Sequence, residues 1–228
     1  MGGLVNFLSQ SIQFFYSISA GLGIPSYGLA IIFFTIVVKA VLFPLTYRQL
    51  ASMRKLQELA PKQQEIQKKY KKDPQRAQQE IMKLYQKEGV NPFMGCLPLL
   101  IQMPILYALF MALRSFFDPV HHPAYVDMSR ASFLWIGNLG TPDPIILPIL
   151  AGLGTFLQQW VSMNRGAGAG DQTQRTMLYI MPIFMAWISR SFPAGLALYW
   201  VMFTVVSIAE NWIVRRVPMA AKEVAGSK

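Results

Sequence analysis

Lys39 is the residue whose type and position most suggest chemistry, because it is the only charged side chain in the apolar segment 27–47. Thr35 precedes it by four residues and therefore lies on the same face of a helix. If the segment crosses a bilayer, a lysine near mid-depth costs about 2.5–3.5 kcal/mol on insertion scales. Three explanations are open: the ammonium snorkels to the inner headgroups, it pairs with Glu210, or it is a functional charge in a hydrated cavity.

The sequence lacks the patterns that indicate an enzyme. We find no Walker loop, no Gly-rich dinucleotide turn and no Ser/His/Asp set. His121, His122 and Asp127 stand close together, but this set is too small to predict a metal site. The single Cys96 excludes a disulfide framework. We therefore expect no catalytic residue, no cofactor and no metal.

The composition indicates which elements must position Lys39. Of the 228 residues, 53% are hydrophobic and only 14% are charged, whereas soluble domains carry roughly 25% charged residues. The charges concentrate in residues 48–91, which hold 11 of the 21 Lys and Arg residues. Because the rest of the chain is nearly free of charge, we predict an all-α membrane protein with several spans.

Five windows are apolar over the roughly 20 residues that a transmembrane helix needs. They are 27–47, 97–117, 144–163, 176–192 and 194–214, with an outer loop at 118–143, a cytoplasmic loop at 164–175 and a tail at 215–228. Lys and Arg mark cytoplasmic loops, and they are dense in 48–91 and absent from 1–26. The orientation predicted is therefore N-terminus outside and C-terminus in the cytoplasm.

Residues 1–26 show a helical period with one polar and one apolar face. The polar face carries Asn6, Ser9, Gln10, Gln13 and Ser17. This pattern predicts an amphipathic helix in the outer membrane interface. A degenerate signal sequence or an arbitrary start of the chain is the alternative.

The charged stretch 48–91 is predicted to be a cytoplasmic helical hairpin. Its residues favour helix, Asp73-Pro74 is a helix start, Gly89 is a helix end, and Pro61 should kink or restart the first arm. The hairpin is either a solvated topogenic loop or a basic antenna for anionic lipid headgroups, ribosomal RNA or an acidic partner. Aromatic residues are too few for a nucleic-acid module, so we expect no sequence-specific nucleic-acid binding.

The polar residues of the spans concentrate on the cytoplasmic side in this orientation. Gln102 lies near the start of the second span and Gln158 near the end of the third. Ser207, Glu210 and Asn211 form one stripe in the inner half of the fifth. We therefore predict a wet groove that opens to the cytoplasm and is sealed outside. The alternative function is a transporter or channel that uses Lys39 to bind an ion, which would need polar lining at all depths.

Several runs of the sequence resemble the YidC/Oxa/Alb family of membrane protein insertases. TIVVKAVLFPLT at 35–46 resembles the first core span of that family, and VNPFMGCLPLLIQMPI at 90–105 resembles its hairpin-to-second-span signature. Shorter matches are FLWI at 133–136, DPIILP at 143–148 and FPAGL at 192–196. The resemblance covers about residues 25–216 in order, the five-span core without the large outer domain of some bacterial relatives.

The resemblance implies a function, a location and partners. Family members insert nascent membrane proteins into the bilayer through a positively charged groove that is open to lipid, without nucleotide hydrolysis. The implied location is the bacterial plasma membrane. The implied partners are the ribosome–nascent-chain complex, the signal recognition machinery and the Sec translocon.

The resemblance also implies roles for three residues. Lys39 stands where the family usually has arginine, which keeps the charge but lacks the planar fork that binds carboxylates through two hydrogen bonds. Thr35 and Trp200 match positions that contact substrate in the family, with Trp200 in place of a more usual tyrosine.

Overall fold

A computed structural model describes residues 2–91, 97–118, 120–163 and 172–216. These residues form no strand, one short 3-10 helix at Met128–Arg130 and eight α-helices: α1 (Gly2–Gly21), α2 (Tyr27–Glu58), α3 (Ala60–Lys69), α4 (Pro74–Lys87), α5 (Leu97–Phe116), α6 (Ile146–Ser162), α7 (Gln172–Ser189) and α8 (Ala194–Arg216). The described part of the chain is therefore all-α, as predicted. Part of the signature at 90–105, most of the loop at 164–175 and the tail after Arg216 lie outside the described residues.

Two of the described helices, α2 and α8, are long and apolar enough to cross a membrane, judged by length and composition. α6 and the Thr176–Ser189 part of α7 are apolar but shorter. Large apolar side chains such as Val41, Ile183 and Trp187 are exposed on these helices, which suits a surface that faces lipid. The all-helical architecture with two apolar helices of this length is consistent with a helical membrane protein, and the number of five spans stays a prediction.

α2 continues past residue 47, the predicted end of the first span, to Glu58. The cause is local, because the residues that follow Tyr47 are mostly good helix formers and no glycine or proline occurs before Pro61. The start of the charged stretch therefore extends the same helix that carries Lys39.

Two short polar helices, α3 and α4, follow and pack against each other. Pro61 lies in the first turn of α3, as its restart role predicts. Asp73 caps α4 and accepts a hydrogen bond from the Arg76 N–H at 3.0 Å, which confirms the predicted helix start. Gly89 follows α4 with φ of 64°, a conformation that glycine adopts without strain.

An ion pair joins the two ends of the α3–α4 unit. Lys62 Nζ lies 2.8 Å from Glu88 Oε1, and its hydrogen bond holds the pKa of the Glu88 carboxyl below its usual value. Both groups are exposed, so the pair adds little stability. Ala77 is the only side chain of α3 or α4 that is buried, and the unit is therefore weakly anchored by apolar contacts.

The apolar core lies toward the predicted outer ends of the helices. It joins the first turns of α2 and α8 to the last turns of α5. α1 packs on α2 and α5 and contributes Leu8 and Ile12 to this core. A further face of α1 carries Phe7 and Phe14, which are exposed and apolar. α1 thus has a buried face, a polar face and an exposed apolar face.

The segment between α5 and α6 covers the outer end of this core. Its Leu139 and Thr141 carbonyls accept hydrogen bonds from the N–H groups of Gly195 and Ala194, at 2.8 and 2.9 Å. Buried apolar side chains of the same segment, Ala131 and Ile136 among them, join the core. The segment therefore fixes where α8 begins.

α8 lies between α2 and α6, and α7 packs on the other side of α6. Glycine makes the close approach of α6 and α8 possible, since a Cβ on Gly154 would lie 2.4 Å from Thr204 Oγ1. A Cβ on Gly152 would lie 3.0 Å from Ala186 Cβ on α7. α8 thus packs against α6 with one face and against α2, which carries Lys39, with another.

Candidate functional site

Lys39 ends in a buried polar cluster between α2 and α8. Its Nζ lies 2.5 Å from Glu210 Oε2, donates a hydrogen bond to Ser207 Oγ at 2.9 Å and lies 4.3 Å from the centre of the Phe203 ring. The Lys39 and Glu210 side chains are only 5% and 6% exposed. We call Lys39, Phe203, Ser207 and Glu210 the Lys39 cluster. The arrangement matches the second of the three explanations, an ion pair with Glu210.

The spacing along α8 presents these partners to α2. Phe203, Ser207 and Glu210 are four and then three residues apart, and so they share one face of the helix. Ser207 Oγ donates to the Phe203 carbonyl at 2.8 Å, which leaves its oxygen as the acceptor for Lys39. Asn211 donates from Nδ2 to the Ser207 carbonyl at 2.9 Å. The predicted stripe on α8 is therefore the face that receives Lys39.

The Lys39 cluster holds one positive and one negative charge. Mutual attraction offsets the loss of hydration of such a buried pair only when the geometry is good, and removing one partner costs about 3–5 kcal/mol. Lys39 is therefore not a free cation in this structure. A carboxylate that approaches Lys39 has to compete with Glu210.

Thr35 lies one helical turn before Lys39 and is fully buried. Its Oγ1 donates to the Ile31 carbonyl at 2.7 Å. Within the described ranges no hydrogen bond links Thr35 to the Lys39 cluster. The structure thus brings Thr35 next to the cluster without making it a partner of the charge.

Gln102 contacts α8 and Trp200 contacts α6, and the Trp200 ring also stacks on Phe203 of the Lys39 cluster, with ring centroids 6.0 Å apart. Gln102 Nε2 donates to the Tyr199 hydroxyl at 3.0 Å, and Trp200 Nε1 donates to Thr155 Oγ1 at 3.1 Å. Tyr199 precedes Ser207 by about 12 Å along α8, in the half that the sequence assigns to the outer side. The sequence places Gln102 in the inner half of its span, yet its partner Tyr199 lies in the outer half of α8. A depth that is counted along the sequence assumes that the spans are parallel and in register, and these two helices do not meet that assumption.

Gln158 is half-buried near the end of α6. Its backbone carbonyl accepts a hydrogen bond from Ser162 Oγ at 2.8 Å. In the described part of the chain no hydrogen bond joins its side chain to the Lys39 cluster. Gln57 instead connects α2 to α6 at this level, since its Nε2 donates to the Ser162 carbonyl at 2.9 Å.

The sequence analysis missed three partners of these residues, namely Tyr199, Thr155 and Phe203. The place of Phe203 beside the polar stripe could have been predicted, because Phe203 lies one helical turn before Ser207 on the same face of α8. The contacts of Tyr199 and Thr155 could not be predicted, since helical period does not tell which helix a face will meet. Glu210 was recognised on the stripe, but its pairing with Lys39 was only one of three explanations.

Comparison with known proteins finds relatives over most of the chain. The model of a family described as 60Kd inner membrane protein matches residues 18–222. A membrane protein insertase YidC of Caldanaerobacter subterraneus is 38% identical over 217 residues, which cover 95% of this chain and 96% of that protein. A protein of the same name from Oceanobacillus iheyensis is 44% identical over 213 residues, or 90% of this chain and 80% of that protein.

Other relatives are much longer than this chain. A membrane protein insertase YidC of Wolinella succinogenes is 40% identical over 205 residues, which are 89% of this chain but 36% of that protein. The relative from Aquifex aeolicus is 41% identical over 204 residues, and this chain covers 38% of its length. The chain thus spans little more than a third of the length of these relatives.

Proposed function

Because the chain belongs to the YidC/Oxa1 family of 60Kd inner membrane proteins, we propose that it is a membrane protein insertase and chaperone of a bacterial plasma membrane. It accepts nascent transmembrane segments and short tails from the cytoplasm and releases them into the bilayer. The observation that carries this proposal is the match to an insertase of nearly equal length, of which the chain covers 96%. A protein of this kind is not an enzyme in the usual sense.

We place the substrate path between the part of α2 around Lys39 and the cytoplasmic half of α8. The distribution of buried side chains supports this placement: Thr35, Lys39, Ser207, Glu210 and Asn211 are buried polar residues of these helices. The apolar core lies toward the opposite end. A segment arriving from the cytoplasm then meets polar groups first. Gln158 and Trp200 flank this path from α6 and α8, and Gln102 borders its far end through Tyr199.

Lys39 acts in this mechanism as the charge that eases the passage of acidic tails. A carboxylate that enters hydrocarbon unaided faces a penalty of several kcal/mol. A cation about 4–6 Å away offsets roughly 3–4 kcal/mol at an effective dielectric constant near 20. Glu210 reduces this gain, because its carboxylate already forms an ion pair with the Lys39 ammonium. The final burial of an apolar span is favourable by itself, so insertion needs no nucleotide hydrolysis.

The charged helices serve partners on the cytoplasmic side in this proposal. α3 and α4 present many basic side chains and few apolar anchors. Such a surface suits contact with anionic lipids. It also suits contact with the ribosome–nascent-chain complex, the signal recognition machinery or the Sec translocon. α1 lies in the outer interface with its exposed apolar face toward lipid. This placement requires an outer N-terminus and a cytoplasmic C-terminus.

A reconstituted insertion assay tests the function. The purified chain is reconstituted in lipid vesicles. A single-span reporter is synthesised, separated from nucleotides by gel filtration and then added to the vesicles. We expect protease-protected reporter in vesicles that contain the chain and little in empty vesicles. Equal protection in both would contradict the insertase function, and a requirement for added ATP or GTP would contradict passive release.

Photocrosslinking tests the path. A photoreactive amino acid at Phe203, beside Lys39, should crosslink to a stalled nascent membrane protein. The matched control is Ile183 on α7, which is exposed and lies on a helix whose main packing partner is α6. Crosslinks of equal yield at both positions would show that the path is not the one between α2 and α8.

A further inference from the structure

A second polar site lies at the predicted cytoplasmic ends of α2, α6 and α8. A cavity of about 310 Å³ is lined there by Arg54, Gln57, Glu58, Ser162, Asn211 and Arg215, among others. Asn211 also bonds the backbone of Ser207. The cavity therefore adjoins the Lys39 cluster on its cytoplasmic side but contains its own charges.

Arg54 brings an unused donor into this cavity. Its Nη2 is buried and has no hydrogen-bond partner among the described residues. No described carboxylate lies within ion-pair distance of its guanidinium, although Glu58 lines the same cavity. A buried donor left unpaired is costly, more so when it belongs to a charged group. The arrangement calls for an acceptor that the described chain does not supply.

Arg215 on α8 supplies a second cation to the same cavity. Its Nη2 donates to the carbonyls of Val161 and Met163 at the end of α6, which fixes the guanidinium at the rim. A guanidinium has five N–H donors, so these two contacts do not use its full capacity. Two like charges that face one cavity repel each other, and an anion between them removes that cost.

The level of the cavity narrows the choice of anion. Ser162 and Arg215 each lie within one residue of the predicted inner ends of the third and fifth spans, at 163 and 214. That depth is the layer of the cytoplasmic headgroups. Guanidinium groups bind phosphate through two parallel hydrogen bonds, and phosphate is the anion that every phospholipid carries at this depth.

We propose that Arg54 and Arg215 form a binding site for a phosphate group, carried by an anionic phospholipid of the cytoplasmic leaflet. Arg54 is the principal ligand, and Arg215 closes the site from α8. Glu58 is the opposing charge that limits affinity. The inference rests on the proposed membrane placement of the chain but not on its insertase activity, because binding is measured without any substrate.

Native mass spectrometry of the purified full chain in detergent tests the site. The probes are phosphatidylglycerol and phosphatidylcholine, which share the phosphate but differ in net charge. We expect retained phosphatidylglycerol on the wild type and at least about tenfold less on Arg54→Gln, given the strength of hydrogen bonds to charged groups. Arg48→Gln is the matched control, since Arg48 is an exposed arginine of the same helix, and it should bind as the wild type does.

Two further measurements guard against loss of fold and identify the source of the phosphate. Glu58→Gln removes a negative charge without touching either arginine and should raise phosphatidylglycerol retention. Inorganic phosphate at constant ionic strength should displace the lipid weakly if the lipid is the ligand, whereas full displacement would assign the same site to free phosphate. Equal retention in wild type and Arg54→Gln, or an equal loss in Arg48→Gln, would overturn the proposal.

Discussion

At the scale of single residues, the coupling of Lys39 to Glu210 decides how the charge can be studied. A variant that removes only one of them leaves a buried charge without its partner and destabilises the fold by about 3–5 kcal/mol. A loss of activity in such a variant does not separate a role in transport from a role in folding. The informative comparison is between variants in which both residues are changed together.

We expect Lys39→Arg to retain insertion, Lys39→Ala to impair it and Lys39→Glu to impair it most, because Lys39→Glu places a second carboxylate beside Glu210. The double variant Lys39→Ala with Glu210→Gln removes both charges and should recover stability but not the insertion of acidic tails. The measurement is protease protection of a single-span reporter with zero, one or two Asp residues in its tail. Wild-type insertion of the whole tail series by the double variant would falsify the role of Lys39 as a charge.

Glu210→Gln should shift the substrate preference. The change keeps a side chain of the same shape beside Lys39 but removes the competing carboxylate, so the ammonium becomes available to acidic tails. We expect the yield for the tail with two Asp residues to rise relative to the neutral tail. Glu210→Asp keeps the charge and is the control. A drop that is equal for all tails would instead mean that the pair serves the fold alone.

At the scale of elements, α3 and α4 should be dispensable for the assembly of the other helices. Only Ala77 is buried in them, and Lys62 meets Glu88 at the base of the unit, so its ends are close together. We expect a short Gly/Ser linker in place of residues 61–88 to preserve the thermal unfolding midpoint in detergent but to weaken insertion. The replacement spares Arg54 and Gln57 of α2. A collapse of the unfolding midpoint would contradict this expectation.

The close approach of α6 to α8 should depend on Gly154. Alanine is normally the better helix former by about 1 kcal/mol, yet its Cβ would lie 2.4 Å from Thr204 Oγ1. Thr204 is fully buried, and its Oγ1 donates a hydrogen bond to the Val201 carbonyl at 2.8 Å. We therefore expect Gly154→Ala to destabilise the fold by about 1–3 kcal/mol, as overpacking does. The control is Gly137→Ala, where a Cβ would meet nothing within 4 Å. An unfolding midpoint unchanged in both variants would show that the helices separate easily.

At the scale of the whole molecule, the predicted orientation can be tested with single cysteines. In a background with Cys96→Ser, Gln78→Cys on α4 should react with a membrane-impermeant maleimide only from the cytoplasmic side. Ala124→Cys, between α5 and α6, should react only from outside. Both positions are exposed, so accessibility does not limit the reaction. Labelling of both cysteines from the same side would refute the topology inferred from the Lys and Arg distribution.

The sequence alone determined the features that depend on neighbours in the chain. The start of α4 at Asp73-Pro74, the restart at Pro61 and the stripe of Ser207, Glu210 and Asn211 follow from capping, ring geometry and helical period, which act over a few residues. The all-α class and the family also lie in local patterns and in composition. The sequence predicts helix on both sides of residue 47, and the structure joins the two parts in one helix, α2, because the change in charge at Arg48 is not a change in helix propensity.

Only the tertiary structure decided which faces meet. Lys39 reaches Ser207 across 168 positions, and Gln102 reaches Tyr199 across 97. A helical period gives the face on which a residue lies but neither the neighbouring helix nor its register. The sequence therefore left three explanations open for Lys39, and packing of α2 on α8 settled its partner. The Arg54 Nη2, which has no hydrogen-bond partner among the described residues, likewise has no signature in the sequence. An unmet hydrogen bond is a property of the surroundings that three packed helices create.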